Sequence, residues 1–299
     1  MLHTIDLCYQ NQPRVIATAA WRTPEGWVLV DPGPTSSLPA LESGLAAVGG
    51  ALVDVRAILL THIHLDHAGA TGTICGRVPE AQVFVHERGA RHMADPTRLL
   101  ASATRLYGDA MDRMWGRFEP VPADRLRPLA GGERLTFGGS ALDVAYTPGH
   151  ASHHVSFFEP ATGMAFVGDT CGIRRGSGDF MVAATPPPDV DLELWHDSLR
   201  TIAAWNPVSL FLTHFGVIQP ASAHLTRFGE VLDRTAQAVL ATLQAGMDDD
   251  AARAAFVAAF RDEARRSVGA QDVQSMETAG PVDDIWRGLA RYWRTRGAA

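Results

Sequence analysis

The sequence predicts a layered α/β fold that runs into an all-helical C-terminal segment. Three observations carry this reading. Short apolar runs bounded by turn residues recur through the first two-thirds of the chain, helical periodicity appears between some of them, and from Ala221 onward that periodicity is uninterrupted. With 299 residues, 46% of them hydrophobic, the chain is long enough for one large domain or two small ones.

The apolar runs read as strands at residues 15–20, 27–30, 57–60, 83–85, 142–146, 155–158, 164–167 and 209–212. Helical spacing marks 38–48 and 96–115, the latter through Leu99, Leu100, Ala103, Leu106, Tyr107 and Met114. In the tail, Leu225, Phe228, Val231, Leu232, Thr235, Val239, Leu240 and Leu243 form one stripe, and further helical patterns follow at 248–268 and 281–296. The run Asp248-Asp249-Asp250 reads as a helix N-terminus, where carboxylates complement the macrodipole. The expected organisation is an α/β domain over 1–220, carrying a helical insert at about 87–118, with a helical extension over 221–299 packed on it. After His224 the tail has no His or Cys, which assigns it to packing, a substrate pocket or a homodimer contact rather than to chemistry.

Composition removes several function classes. The 26 basic residues are all Arg against 33 Asp+Glu, giving a net charge of −7. No lysine means no Schiff base, no pyridoxal phosphate linkage and no Walker lysine. No basic run marks a surface for nucleic acid or anionic membrane, so neither is an expected partner, and a small molecule is. Cys8, Cys75 and Cys171 are odd in number and widely spaced, without a CxxC, so neither a disulfide framework nor a thiolate zinc site is indicated. With no signal-like N-terminus and no apolar run of membrane-spanning length, the expected location is cytoplasmic.

The chemistry concentrates at Leu59-Leu60-Thr61-His62-Ile63-His64-Leu65-Asp66-His67, where an apolar strand runs directly into three imidazoles and a carboxylate. These donors suit zinc or another borderline divalent ion. Alternation places His62 and His64 on one side, and the following turn lets Asp66 and His67 converge on a neighbouring point, a geometry for two metals. Further ligand types end other predicted strands: His150 in Thr-Pro-Gly-His, Asp169 in Gly-Asp, and His214 in Thr-His.

In this order, HxHxDH, TPGH, GD and TH resemble the metallo-β-lactamase superfamily, and Asp31 in Val-Asp-Pro-Gly is similar to its early aspartate behind the ligands. The resemblance implies an αββα four-layer sandwich with a helical C-terminal extension and a metal site at one edge of two packed sheets. It further implies that His62, His64 and His150 hold one metal, that Asp66, His67 and His214 hold a second, and that Asp169 bridges them. This complement is similar to that of glyoxalase-II-like hydrolases. Zinc β-lactamases use a cysteine in the second site, and the flavodiiron branch replaces the second histidine by glutamate, where this chain has His64. The implied cofactor is a pair of divalent ions, zinc first, with iron or manganese as alternatives.

Two cations sharing a water lower its pKa toward neutrality and hold a hydroxide ready for attack, with Asp66 able both to ligate and to orient it. The reading is a hydrolase of a small ester, thioester or lactone. The alternatives are a phosphodiesterase or phosphotriesterase on the same site, a mono-iron persulfide dioxygenase, and a regulatory protein that retains the metal site. Around the centre, Asp31 is expected to support the ligands, and His153, His154 and His86 read as supporting or structural. Tyr107, Met111 and Trp115 on the insert are candidates for pocket wall or core. The Gly- and Pro-punctuated loop 172–188 offers Phe180 and Met181 as apolar pocket residues and Arg174 or Arg175 as a carboxylate clamp. Cys171 reads as a small buried hydrophobe.

Overall fold

In the computed structural model of the chain, residues 1–174, 180–268 and 270–298 are described. Two six-stranded sheets form its centre. The first contains β1 (Leu2–Asp6), β2 (Ala17–Arg22), β3 (Trp27–Val30), β4 (Val55–Leu59), β5 (Gln82–His86) and β6 (Leu126–Leu129) in sequential order. Its first three strands pair antiparallel, and β3 to β6 run parallel. The second contains β7 (Arg134–Phe137), β8 (Ser140–Tyr146), β9 (Val155–Glu159), β10 (Met164–Phe166), β13 (Ser209–Leu212) and β14 (Gly216–Ile218), in the order β14-β13-β10-β9-β8-β7. Between β10 and β13 the chain adds a two-stranded ribbon of β11 (Ile173–Arg174) and β12 (Met181–Val182).

Side-chain alternation explains the layers. In β3, Val28 and Val30 point into a core shared with Leu142, Val144, Phe157 and Phe211 of the second sheet. Trp27 and Leu29 point the other way, into a second core. That outer core is covered by α1 (Leu38–Ala47), α2 (Leu65–Ala68), α3 (Thr71–Arg77), α4 (Glu87–Ala94), α5 (Thr97–Tyr107) and α6 (Met111–Trp115). The outer face of the second sheet is covered by α7 (Leu192–Ala204), α8 (Ala221–Gln244), α9 (Asp249–Val268), α10 (Ala270–Ala279) and α11 (Val282–Thr295). The result is helix, sheet, sheet, helix.

The expected single helix over 96–115 is two helices, α5 and α6. It breaks at Gly108, whose φ of 51° lies in the left-handed region that terminates helices. Strand β1 escaped the pattern because it is an edge strand with one buried side chain, Ile5, and α7 escaped because its stripe starts beyond the Pro-rich loop. The acidic run does begin a helix: Asp248 Oδ1 accepts the Ala251 N–H at 2.8 Å at the start of α9. No described helix is long and apolar enough to cross a membrane.

Candidate metal centre

Strands β3 and β4 are parallel, as are β10 and β13, and two antiparallel steps through β9 give β8 the direction of β10. Their C-terminal ends therefore deliver Asp31, the 61–67 segment, His150, Asp169 and His214 to one edge of the sandwich. Asp31 ties these loops together. Its Oδ1 accepts the Thr61 N–H at 2.8 Å, and its Oδ2 accepts from the Thr61 hydroxyl at 2.7 Å, the Thr213 hydroxyl at 2.7 Å and His67 Nδ1–H at 2.8 Å. It does so fully buried, at a φ of 52°, a left-handed conformation that Asp tolerates better than most residues. Gly168, with a φ of 46°, is required by space as well: a Cβ there would lie 2.4 Å from Thr61 Oγ1 and 2.7 Å from His154 Nε2.

The outer nitrogen of each buried ligand-type histidine is anchored, which fixes the tautomer. His150 Nδ1–H donates to the Ala184 carbonyl at 2.7 Å, and His214 Nδ1–H donates to the Val15 carbonyl at 2.7 Å. The Thr61 hydroxyl proton is already given to Asp31, so Thr61 Oγ1 accepts from His62 Nδ1–H at 3.1 Å. Each ring, when neutral, then turns its Nε2 lone pair inward.

The inward atoms form two nests. His64 Nδ1 lies 3.0 Å from both His62 Nε2 and His150 Nε2. Three nitrogens at this spacing share at most one proton, so lone pairs face one another unless a cation sits among them. In the second nest His67 Nε2 is 3.6 Å and His214 Nε2 3.2 Å from Asp66 Oδ2. Asp169 spans the two, with Oδ1 3.2 Å from His67 Nε2 and Oδ2 3.5 Å from His150 Nε2. His67 Nε2, His214 Nε2 and Asp169 Oδ1 are buried without a hydrogen bond. Orphaned buried polar atoms are rare, and nitrogen and carboxylate atoms converging in this way fit a divalent cation. The triads His62/His64/His150, His62/His67/Asp169 and Asp66/His67/His214 each have the compactness of a metal site.

Electrostatics separates the nests. Burial, reinforced by neighbouring imidazoles, holds His62 well below the ordinary histidine pKa and His64 at about 4, and burial lowers His150 against the pull of Asp169. These are neutral donors. Burial acts the same way on His67 and His214, but Asp169 and Asp66 outweigh it and raise both. The carboxylates respond in kind: burial would raise Asp66 and Asp169, yet His67 and His214 hold both below the usual range.

His64, Asp66, His150 and Asp169 face a cavity of about 820 Å³, and Tyr107 and Trp115 line it. Met111 does not, packing against the outer core, and His153 does, beside His64. His154 lies behind, bonded to Thr147 and Thr170, and His86 caps α4 by accepting the Arg88 N–H. Phe180 corrects the sequence expectation: it is away from this cavity, edge-on to Phe260 at 5.8 Å, because the ribbon of β11 and β12 turns it toward the C-terminal helices. Met181 is buried in the same core. The Arg174 N–H donates to the His214 carbonyl at 2.6 Å, and Arg175 lies outside the described residues. Cys171 is buried, with its thiol pKa raised by desolvation. Sequence reasoning missed the cavity residues Arg88, Arg91, Arg98 and Asp284; their helical spacing was visible, but the space they face was not.

Residues 16–214 match the sequence profile of the metallo-β-lactamase superfamily. The chain belongs to this superfamily. Among curated relatives, a metallo-β-lactamase fold-containing protein of Sulfurisphaera tokodaii is 28% identical over 54% of this chain and 61% of its own length. A hydroxyacylglutathione hydrolase of Aeromonas hydrophila is 32% identical over 59% of this chain and 52% of its own. The chain thus spans about half to three-fifths of these relatives. A solved metallo-β-lactamase family protein of Thermus thermophilus superposes with a TM-score of 0.72 at 23% identity, covering 99% of this chain and 94% of that one. That likeness of fold runs through the C-terminal helices.

Proposed function

We propose that the protein is a dinuclear metallohydrolase that cleaves a small thioester or related ester. The observation that carries this is the pair of donor nests joined by Asp169, with bare Nε2 and Oδ1 atoms converging on each side. His62, His64 and His150 would hold one divalent ion, Asp66, His67 and His214 the other, and Asp169 both; nitrogen and carboxylate donors suit zinc, iron or manganese. When bound, two such ions supply Lewis acidity and an acidified water.

This chain's own residues do the rest. Asp66, whose side chain keeps 17% exposure toward the cavity, is the carboxylate placed to orient a nucleophilic water and to pass its proton to the leaving group. Ile63, Leu65, Leu99 and Trp115 exclude bulk water around the reacting carbonyl. Asp31 keeps His67 in the tautomer that presents Nε2. The thioester preference draws on the hydroxyacylglutathione hydrolases among the relatives.

The test is elemental analysis of the purified chain with initial rates on thioesters, lactones, aryl esters and phosphoesters, before and after chelation. The expected result is two ions per chain and chelator-sensitive thioester or ester cleavage. One iron per chain without hydrolysis rules the reading out.

A further inference from the structure

The cavity that reaches the metal-type ligands is also lined by Arg88, Arg91, His92 and Arg98, supplied by α4 and the start of α5. Arg88, Arg91 and His92 share one face of α4 by their three- and four-residue spacing. Among the described residues, no carboxylate lies within 4.0 Å of a guanidinium nitrogen of Arg88, Arg91 or Arg98. The carboxylates whose charge reaches His92 are engaged elsewhere. Asp95 accepts from the Thr97 N–H and hydroxyl, and Asp189 accepts from the Ser152 N–H at 3.2 Å and its hydroxyl at 2.5 Å. Glu87 lines the cavity without pairing with any of the three arginines.

Helix stability accounts for part of the cluster only: Arg91 and His92 are in the last turn of α4, which favours a cation, whereas Arg98 is in the first turn of α5, which disfavours one. Arg91 Nε–H donates to His92 Nε2 at 3.2 Å, so His92 is a neutral acceptor here, and burial followed by Arg91 and Arg98 lowers its pKa. Three guanidinium groups that line one cavity, none paired with the Glu87, Asp189 or Asp284 carboxylates that line it too, are a site for an anion.

We infer that Arg91 and Arg98, flanked by Arg88 and His92, bind a carboxylate or phosphoryl group on the substrate. The proposal rests on the reading of this cavity as the substrate site. The substrate is then an anionic acyl compound that spans one cavity, with its reactive carbonyl at Asp66 and Asp169 and its charged end on α4 and α5. Leu99, Leu106 and Met114, which line the same cavity, suit an apolar segment.

The test is calorimetric binding of three uncleavable thioether probes of one chain length, ending in a carboxylate, a phosphonate or a neutral amide. They are titrated into the metal-loaded wild-type chain and into a variant carrying both Arg91→Gln and Arg98→Gln. Both side chains are exposed, and unchanged thermal unfolding and metal content verify that the variant is intact. The wild type is expected to bind one anionic probe about tenfold more tightly than the amide, and the variant to lose that preference. The tighter of the two anions names the group. Equal affinities, no binding of any probe, or a preference that survives in the variant overturns the inference. A parallel arm measures hydrolysis of the matching thioesters, where the variant raises KM for the anionic ester and leaves kcat unchanged. No hydrolysis by wild type, with the binding preference intact, overturns the proposed activity and leaves the anion site standing.

Discussion

Asp31 Oδ2 and His67 Nδ1 lie 2.8 Å apart with both side chains fully buried, and the same oxygen accepts from Thr61 and Thr213. One carboxylate therefore sets the His67 ring and joins a loop of the first sheet to a loop of the second. Replacing it with Ala strands four buried donors. Asp31→Ala is expected to destabilise the chain by about 3–5 kcal/mol, measured by urea unfolding. Asp31→Asn, which keeps the shape, is expected to weaken metal binding by roughly 10- to 100-fold, measured by competition with a chromophoric chelator.

Asp66 is the ligand-type carboxylate most open to the cavity. Asp66→Ala is expected to lower the hydrolytic rate by roughly 10²- to 10⁴-fold while the fold persists, read by initial rates beside circular dichroism. Undiminished hydrolysis would remove Asp66 from the mechanism.

Gly168 sits where a methyl group meets Thr61 and His154, both beside the ligands. Gly168→Ala combines a left-handed backbone with overpacking, and about 2–4 kcal/mol of destabilisation is expected. Denaturant unfolding gives the stability, and loss of bound metal in the purified variant gives the local consequence.

Asp284, on α11, lines the cavity with 9% exposure, and its nearest cation is Arg287 at 3.4 Å. Burial raises its pKa despite Arg287. Because the folded value lies above the unfolded one, its contribution to stability is full below the ordinary carboxylate pKa and is lost as pH rises through the folded value. Asp284→Asn is therefore expected to raise Tm at pH 7, with the gain shrinking as pH falls toward the carboxylate range. A Tm at pH 7 equal to or below that of the wild type would contradict this sign.

The α/β layering, most of the central strands and all seven residues of the two nests were legible in the sequence. The reason is local: His62, His150, Asp169 and His214 each follow the end of an apolar strand within four positions, and His62 to His67 lie within six residues of one another. Strand period and loop position fix such relationships without knowledge of the partner sheet. The tertiary structure alone decided the rest. Which nitrogen of each histidine faces inward depends on acceptors as distant as Val15 from His214, 199 residues apart in sequence. Phe180 turned to the helical layer, and Arg91, Arg98 and Asp284 came to share one cavity, because packing of α4, α5 and α11 set where the empty space lies. Spacing along a chain says which side chains share a face, and only the layer packed against that face says what they meet.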